Sequence, residues 1–131
     1  MTFYCLYSSP HSNPDFAEVL SLAADEPTFL GGDFNAHHER WGSVRRDRAG
    51  RHLASVLADV PGVALLNPGE PTHVAGGVLD LSFVSRPLDA GATWELHDHL
   101  ASDHFATVIT LPVAPPLTPP RPPRWNIHRA D

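Results

Sequence analysis

Apolar positions along the chain fall into two periodicities. Phe3 to Tyr7 is a short aromatic and apolar run closed by Ser8-Ser9-Pro10, which predicts a strand. From Asn13 the period changes: Phe16, Val19, Leu20 and Ala23 recur at helical spacing and form the buried stripe of a helix. Asn13 is placed to cap that helix, with Pro14 at its first position and Asp15 and Glu18 near its positive end. Thr28-Phe29-Leu30 predicts a short buried strand stopped by Gly31-Gly32, and a polar loop then runs to Asp47. Ala49, Leu53, Val56, Leu57 and Val60 predict a second amphipathic helix ending near Pro61-Gly62. Val63 to Leu66, Val78 to Val84, Thr93 to Leu96 and Phe105 to Leu111 predict further strands. The class is α/β or α+β, and no early GxGxxG or GxxxxGKS/T marks it as a nucleotide-binding version.

Composition bounds this picture. The 131 residues suit one domain, and 42 % hydrophobic with 18 % charged residues is a globular balance. Seven of the fourteen prolines crowd into 112–123, so residues 1–111 are expected to fold and 112–131 to be a Pro-rich linker and tail. No run approaches the roughly 18 apolar residues of a membrane span, and Met1 to Pro10 lacks a secretory pattern. Cys5 is the only cysteine, which excludes an internal disulfide and a multi-thiolate zinc site and points to a reducing, intracellular setting.

Charge adds a local feature. The chain carries −6, yet Arg40, Arg45, Arg46, Arg48 and Arg51 against Asp47 give the 40–51 window +4. A solvated helix face is the ordinary meaning of such a window; a phosphate contact is the sharper one, with Arg45, Arg46 and Arg48 as candidates.

Four clusters could carry chemistry. In Gly32-Asp33-Phe34-Asn35, an extended chain would turn Asp33 and Asn35 to one side and Phe34 to the other. A carboxylate beside an amide can take a proton from water and hold a phosphate oxygen; alone, the motif reads better as a turn. In Val78 to Val84, alternation puts Asp80 with Val78, Ser82 and Val84, opposite Leu79, Leu81 and Phe83. An acid there needs a partner if buried, or else that face is exposed. Ser102-Asp103-His104 precedes a strand; oriented by Asp80, His104 would make a general base or a phosphate ligand. Asp103 is a candidate metal or buttressing carboxylate, against the plain reading of a turn. Tyr7 ends the first strand, where a tyrosine is more often rim or core. His37-His38 and His97-Asp98-His99 lack the thiolates or HExxH helix of a zinc site, so the pattern favours hard-cation phosphate chemistry.

Taken in order, GGDFNAHHERWGS (31–43), NPGEPTH (67–73), LDLSFVS (79–85) and SDHF (102–105) resemble the endonuclease/exonuclease/phosphatase family, in the form found in non-LTR retrotransposon endonuclease domains. The tail RWNIHRAD resembles the junction towards such an element's reverse transcriptase. The resemblance implies a four-layer α/β fold, two sheets flanked by helices, with the site at one end. It implies that Asp33 activates water or stabilises the transition state and that Asn35 orients phosphate or water. His104 would contact the scissile phosphate, held in its tautomer by Asp80, with Tyr7 in support and Asp103 as a metal carboxylate. It further implies Mg²⁺ (or Mn²⁺), a DNA substrate, a downstream reverse transcriptase in a longer polyprotein and a nuclear location.

The family's asparagine and metal-binding glutamate precede the strand that holds Tyr7, and they have no counterpart here. The chain is therefore expected to be the C-terminal part of the domain, a truncated fragment with an open core and poor solubility. Three functions stay open: a metal-dependent, DNA-nicking phosphodiesterase; a phosphatase of the same fold; and an inactive remnant serving as a binding module.

Overall fold

Strand β1 (Thr2–Tyr7) runs parallel to β2 (Thr28–Asp33), a pairing that requires the crossover supplied by helix α1 (Phe16–Ser21). The computed structural model describes residues 1–98 and 101–113. Helix α2 (Arg48–Asp59) follows a single 3₁₀ turn (Glu39–Trp41), and strands β3 (Val63–Leu65) and β4 (Asp80–Ser85) complete a four-stranded sheet ordered β1-β2-β4-β3. A short helix α3 (Arg86–Asp89) leads to an antiparallel pair, β5 (Thr93–Leu96) and β6 (Thr107–Thr110). Two sheets and few helices make this a mixed α/β fold. Among the described residues no helix is long and apolar enough to cross a membrane.

The sheet's two faces differ. On one, Leu30, Phe34, Leu81, Phe83 and Val63 meet Phe16 and Leu20 of α1 and Leu53, Val56 and Leu57 of α2, forming the main core. The other carries Phe3 and Cys5 of β1, Phe29 and Gly31 of β2, and Ser82 of β4. Beside it lies an open apolar cleft of about 500 Å³, reaching Phe105 and Ile109. Alternation in β4 holds, but Ser82 and Val84 are buried, so that face is not the exposed one the sequence allowed for.

Local chemistry moves three element ends from their expected places. Asp15, not Asn13, caps α1, its carboxylate accepting from the Glu18 amide, and Pro14 lies outside the helix. Strand β2 runs through Gly31-Gly32 to Asp33 instead of stopping at Leu30. Gly32 has φ +148°, and a Cβ there would lie 1.9 Å from the Leu6 carbonyl, so glycine is what lets β1 and β2 stay paired. The polar loop contains the 3₁₀ turn because Trp41 is fully buried, with its indole N–H donating to the Ala36 carbonyl. The remaining strands end within one or two residues of expectation. His99 and residues 114–131, most of the expected linker and tail, lie outside the described residues.

Candidate active site

The ends of β1, β2 and β4 put three sequence candidates in one cross-strand row: Tyr7 pairs with Asp33, and Asp33 with Asp80. Paired residues share a face, so a parallel neighbour and an antiparallel neighbour converge on Asp33. Tyr7 is 72 % exposed, with its side chain open to solvent at the edge of the row.

His104 meets this row from the later segment. Its Nδ1 lies 2.6 Å from Asp80 Oδ2, and its Nε2 lies 3.8 Å from Asp33 Oδ2. The first contact is a charge-assisted hydrogen bond in which Nδ1–H donates, leaving Nε2 facing Asp33. The second is too long for a hydrogen bond, so a water can bridge the two groups, accepting from Nε2–H and donating to Asp33. Asp80's hydrogen bond, with the added pull of nearby carboxylates, raises the His104 pKa above the usual histidine value despite some burial. Burial raises the Asp33 pKa, and the Asp80 charge adds to it, while the Asn35 amide and the neighbouring imidazoles act in the opposite sense.

Two residues outside the sequence candidates hold Asp80. Fully buried Thr72 accepts through Oγ1 from the backbone amides of Leu79 (2.9 Å) and Asp80 (3.0 Å). Asn67 donates from Nδ2 to the Asp80 carbonyl and accepts at Oδ1 from the Ser82 amide, extending the ladder of β4 where β3 has ended. Both lie in the NPGEPTH segment, 67–73. Their sequence signal is positional: a polar side chain next to a proline, ahead of an apolar strand.

Asn35 departs from the extended geometry that the sequence suggested. Its φ is +44°, so the chain turns there instead of continuing the alternation. Its amide nitrogen donates to Asp33 Oδ1 and its side chain donates to the Ser8 carbonyl at 2.6 Å, while Phe34 is buried as expected. Asn35 thus ties the end of β2 to the residue after β1.

The arginines separate. Arg46 forms a two-point ion pair with Glu39, which holds the Glu39 carboxyl down to about 2. Glu39 lies one residue before the basic window, where counting charge within 40–51 misses it. Arg45 Nη2 lies 3.2 Å from His37 Nε2, at a second cleft that also includes Asn35. Arg48 is exposed at the start of α2, which Asp47 caps by accepting from Gly50 and from the His37 amide. Arg45 and Arg48 each line a cleft that also includes Asn35, whereas Arg46 is engaged by Glu39.

Carboxylate and imidazole atoms of Asp33, Asp80 and His104 lie within 4.8 Å of one another, close enough to hold one cation. Two carboxylates on one row repel, and a divalent ion relieves that repulsion; oxygen donors suit a hard cation such as Mg²⁺. Asp103 belongs to a different group, 3.4 Å from His73 and 4.0 Å from His104, with a side chain 69 % exposed.

The profile of the family described as endonuclease-reverse transcriptase matches residues 1–108. The chain belongs to that family. A curated relative from Drosophila melanogaster, "Probable RNA-directed DNA polymerase from transposon BS", is 28 % identical over 123 residues, covering 85 % of this chain and 13 % of the relative. A cytolethal distending toxin homolog from Salmonella typhi is 35 % identical over 79 residues, 59 % of this chain and 26 % of that one. Among solved structures, the endonuclease domain of TRAS1, a telomere-specific non-LTR retrotransposon, superposes with a TM-score of 0.69 at 25 % identity. That match covers 80 % of this chain and 52 % of the TRAS1 chain. This member of the endonuclease-reverse transcriptase family therefore carries the endonuclease fold over about half of that domain's length, and spans smaller parts of its curated relatives.

Proposed function

We propose that this chain carries the phosphodiester-cleaving site of a non-LTR retrotransposon endonuclease, with DNA as substrate and Mg²⁺ (or Mn²⁺) as cofactor. The observation that supports this most is the array Asp80–His104–Asp33, built on one sheet row and open to a phosphate. His104, kept cationic over a wider pH range by Asp80, holds a non-bridging oxygen of the scissile phosphate through Nε2. Asp33, with its raised pKa, is the better base for the attacking water. Asn35 fixes the Asp33 carboxylate through its amide, Tyr7 borders the phosphate from the open edge, and Asp103 flanks His104. When bound, the metal spreads the charge of the pentavalent phosphoryl group and eases departure of the leaving oxygen. Arg45, with Arg46 and Arg48 further along the surface, supplies phosphate contacts to the flanking DNA. Residues 1–111 form the catalytic piece, and the longer protein continues into a reverse transcriptase.

A second reading, DNA binding without cleavage, draws support from the 52 % coverage of the TRAS1 domain. Hydrolysis of bis(p-nitrophenyl) phosphate and of p-nitrophenyl phosphate by the purified chain separates the alternatives. Mg²⁺-dependent hydrolysis of the diester in preference to the monoester is the expected result. Preference for the monoester would replace the nuclease with a phosphatase, and no hydrolysis of either would leave the binding reading.

A further inference from the structure

His73 takes no part in the chemistry above, yet its ring lies edge-on to His104, with centroids 5.0 Å apart and planes at 88°. Its Nε2 is 3.4 Å from Asp103 Oδ2, and Asp103 Oδ1 is 4.0 Å from His104 Nε2. We propose that His73, Asp103 and His104 form a second cation site, selective for a borderline divalent ion of the Zn²⁺ type, whose occupancy silences the phosphodiester site by capturing His104. The silencing half rests on the function proposed above; the binding half does not.

Geometry supports the site first. Each of the three residues offers one ligand atom, all within 4.8 Å of one another. Tetrahedral zinc with bonds of roughly 2.0–2.1 Å holds its ligand atoms about 3.3 Å apart. The edge from His73 to Asp103 Oδ2 already has that length, and rotation of the exposed Asp103 carboxylate can present a single oxygen to both imidazoles. The two ligand-bearing segments are clamped together by backbone: the Val74 amide donates to the Asp103 carbonyl and the Phe105 amide to the Thr72 carbonyl. Only side-chain adjustment is then needed to close the site.

Donor chemistry supports the selectivity. Two imidazoles and one carboxylate suit Zn²⁺ and its neighbours, whereas the Asp33–Asp80 side is rich in oxygen and suits Mg²⁺. His104 is already oriented as a ligand, since Nδ1–H donates to Asp80 and Nε2 points away from that carboxylate; a bound cation takes the place of the Nε2 proton, which leaves to solvent, and gives the usual carboxylate–histidine–metal arrangement. At His73 the Ala75 amide donates to Nδ1 at 3.0 Å, so the proton now sits on Nε2. Binding moves that proton to Nδ1 and swings the His73 ring off the Ala75 amide, which the exposed position of Ala75 leaves to solvent. Because His104 belongs to both groups, a cation on His73 and Asp103 removes it from the phosphate.

Calorimetric titration of ZnCl₂ into the Mg²⁺-free chain tests the binding half. One site is expected, weakened by about tenfold or more in His73→Phe and in Asp103→Asn, and unchanged in His37→Asn, whose imidazole lies outside the cluster. Asp103→Asn changes an exposed position, so it reads the site even if His73→Phe folds poorly. Equal affinity in wild type, His73→Phe and Asp103→Asn would overturn the site. Plasmid nicking in Mg²⁺ with added Zn²⁺ tests the silencing half: wild type should be inhibited, and His73→Phe should keep its nicking at the same Zn²⁺ concentration. Inhibition that survives in His73→Phe would overturn the silencing. Absence of nicking without Zn²⁺ would overturn the proposed function, while the titration still decides the cation site.

Discussion

Asp80 is where sequence and chemistry meet at the scale of single residues. An acid alternating with apolar residues in a strand must find a partner, and His104 is that partner at 2.6 Å. Asp80→Asn should therefore lower the His104 pKa, read by NMR titration of the ring; an unchanged titration would mean that the contact does not set it. The linkage has a definite sign. A histidine whose folded pKa is raised contributes stability that is fully present below its unfolded pKa, near 6.5, and is lost as pH rises through the folded value. Chemical denaturation of wild type should thus show a loss of stability over that interval that Asp80→Asn does not. Thr72 sets a second expectation. Thr72→Val keeps the shape but leaves the Leu79 and Asp80 amides without an acceptor, at a cost of roughly 1–3 kcal/mol, whereas Thr72→Ser keeps the acceptor and most of the stability. Denaturant midpoints of the two variants should separate accordingly; equal midpoints would mean that those amides find another partner. Asp33, Asp80 and His104 could be read from the sequence because strand alternation and a strand boundary expose them. Thr72, Asn67 and His73 are far less legible, because their importance lies in what a loop folds back upon, which no period encodes; only the neighbouring prolines mark Asn67 and Thr72.

Elements were legible wherever one face is apolar. The stripes of α1 and α2 and the alternation in β4 follow from burial, and the structure realises each. Errors fall where a single local contact overrides the pattern: Asp15 takes the capping role from Asn13, Trp41 draws a polar loop into the core, and Gly31-Gly32 extends a strand that glycine was expected to stop. Gly32 is the most exacting of these positions. Gly32→Ala adds a Cβ at positive φ against the Leu6 carbonyl, so it should destabilise the fold by roughly 1–3 kcal/mol or more, seen as a lower denaturant midpoint. It should also loosen the site, because the row Tyr7–Asp33–Asp80 depends on β1 and β2 keeping register. A midpoint equal to wild type would contradict the close approach of the two strands.

At the scale of the whole molecule, one sheet face is packed by helices, and the other opens onto an apolar cleft beside a strand, β1, whose Phe3 and Tyr7 are exposed. The candidate row Tyr7–Asp33–Asp80 nevertheless lies entirely on β1, β2 and β4, each hydrogen-bonded within the same sheet, and the His104 segment is anchored through the backbone of Thr72 and His73. These side chains are thus positioned by contacts among the described residues, while the match to the TRAS1 domain covers 52 % of that chain. The sharpest test is conversion of supercoiled plasmid to open circle by the purified chain, in Mg²⁺ and in EDTA, with Asp33→Ala and His104→Ala alongside. Nicking in Mg²⁺ that disappears in EDTA and in both variants is expected. Nicking retained by either variant, or no nicking by folded wild-type protein, would contradict the proposed site.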